Sequence, residues 1–455
     1  MGFYFYMKIF PNKNIYNDIV YIAIPVVGGL LTQMILSLVD TAMIGRLENS
    51  QVALAALGLA FLASWTITSF FSSMSTGTHV LVARRHGSGD MESVASVLNN
   101  SLIISFSIGI IISAIGYLYS YELMDFLSKD SSVALEGQGY LSYRFLGLPF
   151  FLMIVTYRGF FYGIGQTKIF LWSAIIVMCV HILGNILFIY GNLGFPKLGL
   201  TGAGVSSFIS MIFGWLFFFI VTFLKEYRIK YGYFKQFFIS LNTVNQILKI
   251  SMPVSLQNVL ILLGFLIFIA VTGIIGTAQQ AASQLVTSAI FISFIPCFGL
   301  GIAAQTLVGQ ALGKNNKTRA RLYGLESAKI GTIITFIIGL IFIGFPDIVL
   351  SSITNNNELI KIARPLLRIA GFAQIFYGAG IILAHALQAA GETIYVMIVE
   401  VITHWLLFLP LSYILGIWLE GGIIGAWCAL PVYVLMFLGM NYYKFIKGSW
   451  MSNKV

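Results

Sequence analysis

Charge is scarce in this chain. Only 9% of its 455 residues are Asp, Glu, Lys or Arg, against about 25% in an ordinary soluble domain. That shortage excludes a water-soluble enzyme with a solvated surface. Histidine is scarce too: there are five, and they are scattered. No HExxH pair or nucleophile elbow accompanies them, so a membrane enzyme has no catalytic cluster to work with. The three cysteines, Cys179, Cys297 and Cys428, stand singly in apolar segments. Each reads as a packing residue, and neither a disulfide framework nor a metal site is expected. A cleavable leader is not expected, because no basic stretch precedes a short apolar core at the N-terminus. Met7 offers an alternative start, and Tyr6 stands where a myristoylation signal requires Ser or Thr.

Apolar sequence is what the chain has in abundance. It is 58% hydrophobic, with mean hydropathy +0.91. Uncharged runs long enough to span a bilayer, about 20 residues, recur from Ile19 onward. They divide into twelve candidate helices, from 19–45 and 52–78 through 138–164 and 168–190 to 393–416 and 422–445. The run Ile250–Gly313 is too long for one helix, and "GTAQQ" at Gly276–Gln280 breaks it. Forty-five glycines suit helices packed closely in lipid. The fold class is therefore an all-α polytopic membrane protein, with the lipid bilayer as its surroundings.

The loops divide by charge. One set carries Arg84, Arg85, Lys168, Lys225, Arg228, Lys230, Lys235, Lys314, Lys317, Arg319, Arg321 and the tail Lys444, Lys447 and Lys454. The other carries Glu48, Glu122, Asp125, Asp130, Glu136, Asp347, Glu358 and Glu420. The sets alternate as twelve spans require. Basic residues gather on the cytoplasmic side, so both termini are expected inside. The net charge of +10 then reads as a topology signal, and no nucleic acid is implied.

The chain repeats itself at a shift of 223 to 228 residues. "IAIPV" at Ile22–Val26 answers "ISMPV" at Ile250–Val254. "VARRHGSGD" at Val82–Asp90 answers "VGQALGKNN" at Val308–Asn316, and "YGIGQT" at Tyr162–Thr167 answers "QAAGET" at Gln388–Thr393. "LGLTGAG" at Leu198–Gly204 answers "GGIIGAW" at Gly421–Trp427. Two six-helix lobes of equal orientation follow, at 1–224 and 246–455, with 225–245 as a basic cytoplasmic linker. Transporters built from such repeats hold substrate between the halves, and alternating access suits this layout better than a continuous channel.

Asp40 and Glu400 are the acidic residues placed deep in spans. A central charge costs about 2.5–3.5 kcal/mol on insertion scales and is functional by default. Gln33, Ser37 and Asp40 share one helical face, a stripe suited to a cavity in the N-terminal lobe. The matching positions of the seventh helix are Ile261, Phe265 and Phe268, so the stripe exists in one half only. Burial favours the neutral carboxyl and a nearby cation favours the carboxylate, so one site can trade a proton for Na⁺ or a positive compound. A carboxylate held by neighbouring helices is the structural alternative. His181 and Asn185 are i, i+4 neighbours, as are Glu400 and His404. Glu400 either binds substrate charge in a C-terminal-lobe cavity or merely bridges His404. His385 and His79 read as packing residues. Aromatics, 15% of the chain, offer cation–π surfaces.

The ordered motifs Pro25, "VDTAMIGRL" at Val39–Leu47, Arg158 in "RGFFYGIGQT", Asn185 before "FIYG", and "GFPKLGLTGAG" at Gly194–Gly204 resemble the multidrug and toxic compound extrusion (MATE) family. The resemblance runs over essentially the whole chain. It implies a V-shaped, two-lobed, pseudo-symmetric antiporter, monomeric by default, in a plasma membrane, here a prokaryotic inner membrane. Such antiporters export small organic, mostly cationic, compounds against H⁺ or Na⁺ and need no other cofactor. It assigns the essential acidic residue of the first helix to Asp40 and a cation-coupling partner to Asn185. His181 departs from the Asn usual at its position; imidazole is a poor Na⁺ ligand and a good proton carrier, which tilts the coupling toward H⁺. Na⁺ at Asp40 and Asn185 stays open. Thr201 could add an oxygen to the N-terminal-lobe cavity. The glutamate many members carry on the seventh helix is missing, since Ile261 stands there. Arg158 reads as an inter-helix contact, and Pro25 and Pro253 as points where the first and seventh helices bend. A lipid-linked oligosaccharide or polysaccharide flippase of the related superfamily is the alternative. The deep carboxylates weigh toward cationic cargo.

Overall fold

The computed structural model describes residues 13–233 and 239–453. Met7, Lys235 and Lys454 therefore lie outside the described residues. All regular structure among those described is helical. In chain order the helices are α1 (Lys13–Ile44), α2 (Ser50–Ser72), α3 (Met74–Ser88), α4 (Met91–Leu118), α5 (Ser120–Leu127), α6 (Ser131–Leu146), α7 (Leu148–Gly163), α8 (Thr167–Phe188) and α9 (Leu200–Phe223). There follow α10 (Lys225–Tyr231), α11 (Leu241–Ile275), α12 (Thr277–Gly313), α13 (Lys317–Gly344), α14 (Pro346–Ser351), α15 (Asn357–Ala389), α16 (Thr393–Glu400), α17 (Leu409–Tyr413) and α18 (Gly422–Lys447). Eleven helical stretches are long and apolar enough to cross a membrane. The count is twelve if α6 and α7, bent by 47° at their junction, form one span. The expected number of spans is met, with one span broken.

Short polar signals set the helix ends. Asp90 caps α4 by accepting the Ser93 N–H at 3.0 Å, and Asp130 caps α6 by accepting the Ser132 N–H at 2.9 Å. Asn316 and Asn356 do the same for α13 and α15, satisfying donors that have no partner inside the helix. The Asp90 carboxyl lies below the usual carboxylate range because Ser93 binds it through side chain and backbone, and the Ser132 side chain and backbone lower Asp130 likewise. Gly89, at φ +83°, ends α3 in the left-handed region that glycine enters freely.

The helices gather into two compact units. One is Gly28–Ser255; the other is the chain up to Val27 together with Leu256 onward. The division does not fall at the 225–245 segment. It cuts α1 two residues after Pro25 and α11 two residues after Pro253. Both prolines lie inside long helices rather than at their starts. A proline inside a helix removes a backbone hydrogen bond, so each helix is weakest where its two parts join different units.

In the Gly28–Ser255 unit, Ile44, Met124, Tyr140, Leu141 and Phe145 are buried together. α11 is tied in at its first half: Arg85 donates to Gln246 Oε1 at 2.7 Å, and the Ser73 and Ser255 hydroxyls bond. In the other unit, Ile19 and Ile22 of α1 join a core with Phe294, Cys297 and Leu300. There α13 and α15 approach so closely that a Cβ on Gly371 would meet the Gly339 carbonyl oxygen at 2.8 Å, the small-residue contact favoured between helices in lipid. Cys297 packs as expected, but Cys179 and Cys428 are exposed on their helices; Trp427 and Ala429, on either side of Cys428, are buried.

Candidate functional site

Asp40 sits on α1 within the Gly28–Ser255 unit, beside α8. Its Oδ1 lies 2.9 Å from His181 Nε2 and accepts the Asn185 amide N–H at 2.6 Å. The side chains of Asp40 and His181 keep 15% and 4% of their surface exposed, so the pair is largely shut from water. The i, i+4 spacing of His181 and Asn185 presents both to one oxygen, and the Tyr190 hydroxyl donates to the Met43 carbonyl at 2.8 Å, holding the ends of α1 and α8 in register. Asn185 is fully buried, and its Oδ1 has no hydrogen-bond partner. His181 Nδ1 faces Ser210 Oγ of α9 at 3.4 Å, and that hydroxyl donates to the Ser207 carbonyl at 2.8 Å. Arg46 is not the partner of Asp40.

The rest of the expected stripe does not converge on Asp40. Gln33 and Ser37 are exposed and form no side-chain bond to the carboxylate; the Ser37 backbone carbonyl accepts the Thr41 hydroxyl at 3.0 Å. The three share a face of α1, but the polar groups of α8 reach only its last member. Thr201 lies half-buried at the start of α9, with its hydroxyl against Gly139, not on Asp40. Arg158 lies with its guanidinium carbon 5.8 Å from the centre of the Phe170 ring, a cation–π contact. It is an inter-helix contact of α7 and α8.

In the other unit, Glu400 and His404 are both buried. The expected hydrogen bond between them does not form. His404 Nδ1 is 3.4 Å from Glu400 Oε1, within ion-pair distance, yet neither ring nitrogen has a hydrogen-bond partner. Tyr433 takes that role, donating to Glu400 Oε1 at 2.9 Å. The reason is local. The helix from Val401 to Phe408 is π-helical, and its wider turn rotates His404 away from the α-helical i, i+4 alignment. Phe265, Phe408 and Tyr433 ring the imidazole at centroid distances of 5.2 to 5.3 Å. Phe268, which matches Asp40 in the repeat, packs on Phe408 at 4.9 Å. His385 Nδ1 lies 2.9 Å from the Ile381 carbonyl oxygen, to which it donates, and His79 packs edge-on to Tyr162.

Two charged side chains escaped the sequence reading. Glu326 is buried in α13 and pairs with Lys329 at 2.7 Å; that helix starts at Lys317, ahead of the expected 321, which draws Glu326 inward. Arg144 stands near the α6–α7 bend and donates to Ser207 Oγ at 2.8 Å. The expected span 138–164 puts it near an end, whereas the bent span Ser131–Gly163 puts it near the middle. Among the described residues no group of three or more His, Cys, Asp or Glu is placed to hold a metal ion.

Comparison with known proteins fits this architecture. The MatE family profile matches twice, over residues 25–187 and 253–414, one match for each repeat. A "Probable multidrug resistance protein NorM" from Thermotoga maritima is 24% identical over 96% of this chain and 94% of its own length. A "Multidrug resistance protein NorM" from Photobacterium profundum is 26% identical over 87% of this chain and 86% of its own. The fold is that of a solved multidrug resistance MATE family transporter in its outward-facing conformation, with a TM-score of 0.88, 20% identity and 97% of each chain covered. A MOP superfamily transporter from Pyrococcus furiosus gives a TM-score of 0.84, with 21% identity and the same coverage. The chain belongs to the MatE family of multidrug efflux transporters, a membrane transporter and not an enzyme.

Proposed function

We propose that this transporter is an antiporter that expels small organic, mostly cationic, compounds in exchange for protons, with Asp40 and His181 as the coupling pair. The observation that carries this reading is the 2.9 Å contact between His181 Nε2 and Asp40 Oδ1. Ser210 gives its hydroxyl hydrogen to the Ser207 carbonyl, so its oxygen is left to accept and His181 Nδ1 is the donor toward it. With Nδ1 carrying hydrogen, the contact on the other side of the ring needs one further proton, on Nε2 or on the carboxyl. The pair so described holds the proton. Loss of that proton leaves a carboxylate free to attract an organic cation, and its return cancels the attraction. Ion and cargo thus compete for one charge, which is the differential binding that exchange requires. The charge-alternating loops support both termini in the cytoplasm, and in this reading the chain acts as a monomer in a prokaryotic plasma membrane.

A second reading is favoured by one atom. Asn185 Oδ1 is buried, unpartnered and hard, the donor type that Na⁺ selects. Export of a fluorescent organic cation from everted vesicles separates the two. A pH gradient alone is expected to drive the wild type, and Asp40→Asn is expected to stop it. Drive by Na⁺ alone moves the coupling to Asp40 and Asn185. If neither gradient moves the cation, the lipid-linked saccharide flippase reading takes over.

A further inference from the structure

Arg144 is a cation without a carboxylate. It stands near the middle of the bent span formed by α6 and α7, where a charge is costly and functional by default. Its guanidinium spends one N–H on Ser207 Oγ, at 2.8 Å. No acidic side chain pairs with it among the described residues, and the other N–H groups of its fork make no hydrogen bond there. The guanidinium is half-buried and borders a partly open cavity of about 20 Å³, lined by Ser64, Thr68, Arg144 and Ser207 among apolar side chains. That space admits a group about the size of one water and leaves a ring outside.

Arg144 is also linked to the coupling pair. Asp40 meets His181, His181 faces Ser210, Ser210 donates to the Ser207 carbonyl, and the Ser207 hydroxyl accepts from Arg144. The chain of polar contacts runs from a carboxylate to a guanidinium within one compact unit. Tyr140 stands within electrostatic reach of both ends.

We propose that Arg144 and Ser207 form a subsite for an anionic group, the carboxylate of a transported compound, whose cationic part is drawn toward Asp40. The planar fork of arginine matches a carboxylate through two parallel N–H donors, and the partly open cavity takes one carboxylate oxygen and leaves the rest of the compound outside it. The cargo this favours carries both charges. The role of Asp40 here rests on the antiporter reading above; the subsite itself does not.

The test uses the full chain in liposomes of phosphatidylcholine, with rhodamine B, which has a free carboxylate, and its ethyl ester, which has none. The readout is the ratio of their binding constants and of their export rates. Wild type is expected to prefer the acid at least tenfold, and Arg144→Met to lose at least tenfold in that ratio. Arg144→Lys is expected to keep part of it. A wild-type ratio near one overturns the subsite, whether or not the variants fold. So does an Arg144→Met protein with an unchanged ratio. Addition of phosphatidylglycerol is expected to leave the wild-type ratio alone; if it erases the ratio, Arg144 holds a lipid phosphate instead and the proposal fails. Asp40→Asn separates the two readings. Normal export in that variant sinks the coupling role of Asp40, while the acid-to-ester ratio continues to report on Arg144.

Discussion

Tyr433 donates its hydroxyl to Glu400 Oε1 at 2.9 Å, deep in the unit formed by the chain up to Val27 and from Leu256 onward. That bond gives the carboxylate of the second repeat a fixed partner amid aromatic rings. Asp40, in the first repeat, meets instead an imidazole that can change its own charge. The repeats thus share a helical plan and differ in what their buried carboxylates can do.

Tyr433→Phe removes the hydrogen bond that Glu400 Oε1 accepts among the described residues and leaves a buried acceptor unsatisfied. The expected loss is about 1–3 kcal/mol of stability, seen as a lower thermal transition in detergent. Proton-driven export per folded molecule is expected to stay near the wild-type level. A large loss of export at unchanged stability would shift the coupling role toward Glu400.

Asn185→Ala deletes a donor to Asp40 Oδ1 at 2.6 Å. A hydrogen bond to a charged group contributes about 1.5–3 kcal/mol, so the hold on the Asp40 carboxylate is expected to weaken. Export per folded molecule, measured in everted vesicles, is expected to fall about tenfold or more. Unchanged export argues that Asn185 serves packing only.

Gly159→Ala is expected to be poorly tolerated. A Cβ there would strike the Ser75 backbone, which lacks the freedom of a side-chain tip to move aside. Overpacking of this kind costs about 1–3 kcal/mol. Folded yield after size-exclusion chromatography checks it, with Gly58→Ala, where nothing lies within 4 Å, as the control.

Asp90→Ala removes the α4 cap, for an expected loss of about 1 kcal/mol. The sign with pH follows from the lowered carboxyl. The contribution is complete above the unfolded value of about 3.9 and is lost as pH falls through the lower folded value. Wild type and variant are therefore expected to differ at pH 7 and to converge in strong acid.

Pro25→Ala restores an N–H to α1 where the helix passes from one compact unit to the other. Stiffer α1 is expected to slow export while leaving equilibrium binding of an organic cation unchanged. Equal rates for the two proteins would remove Pro25 from the transport cycle.

Much of this protein follows from sequence alone. Uncharged runs of bilayer length leave helices as the answer, because lipid offers no partners for backbone groups. The repeat is legible because each half reuses the same turn motifs. Asp40, His181 and Asn185 are legible as a site, since polar groups in apolar runs are few and i, i+4 spacing fixes which share a face. Tertiary structure decided the rest. Spacing on one helix cannot say which member of the Gln33–Ser37–Asp40 stripe a neighbouring helix reaches, and only Asp40 is reached. Nor can it foresee a π-helical turn, where His404 stays 3.4 Å from Glu400 without a hydrogen bond and Tyr433 donates to the carboxylate instead. Arg144 looked peripheral because a span's limits set its depth, and those limits depend on the bend between α6 and α7 at Gly147 and Pro149, which the apolar run around it masked. Hydrophobicity fixes which residues enter the membrane; packing between helices fixes which of them meet.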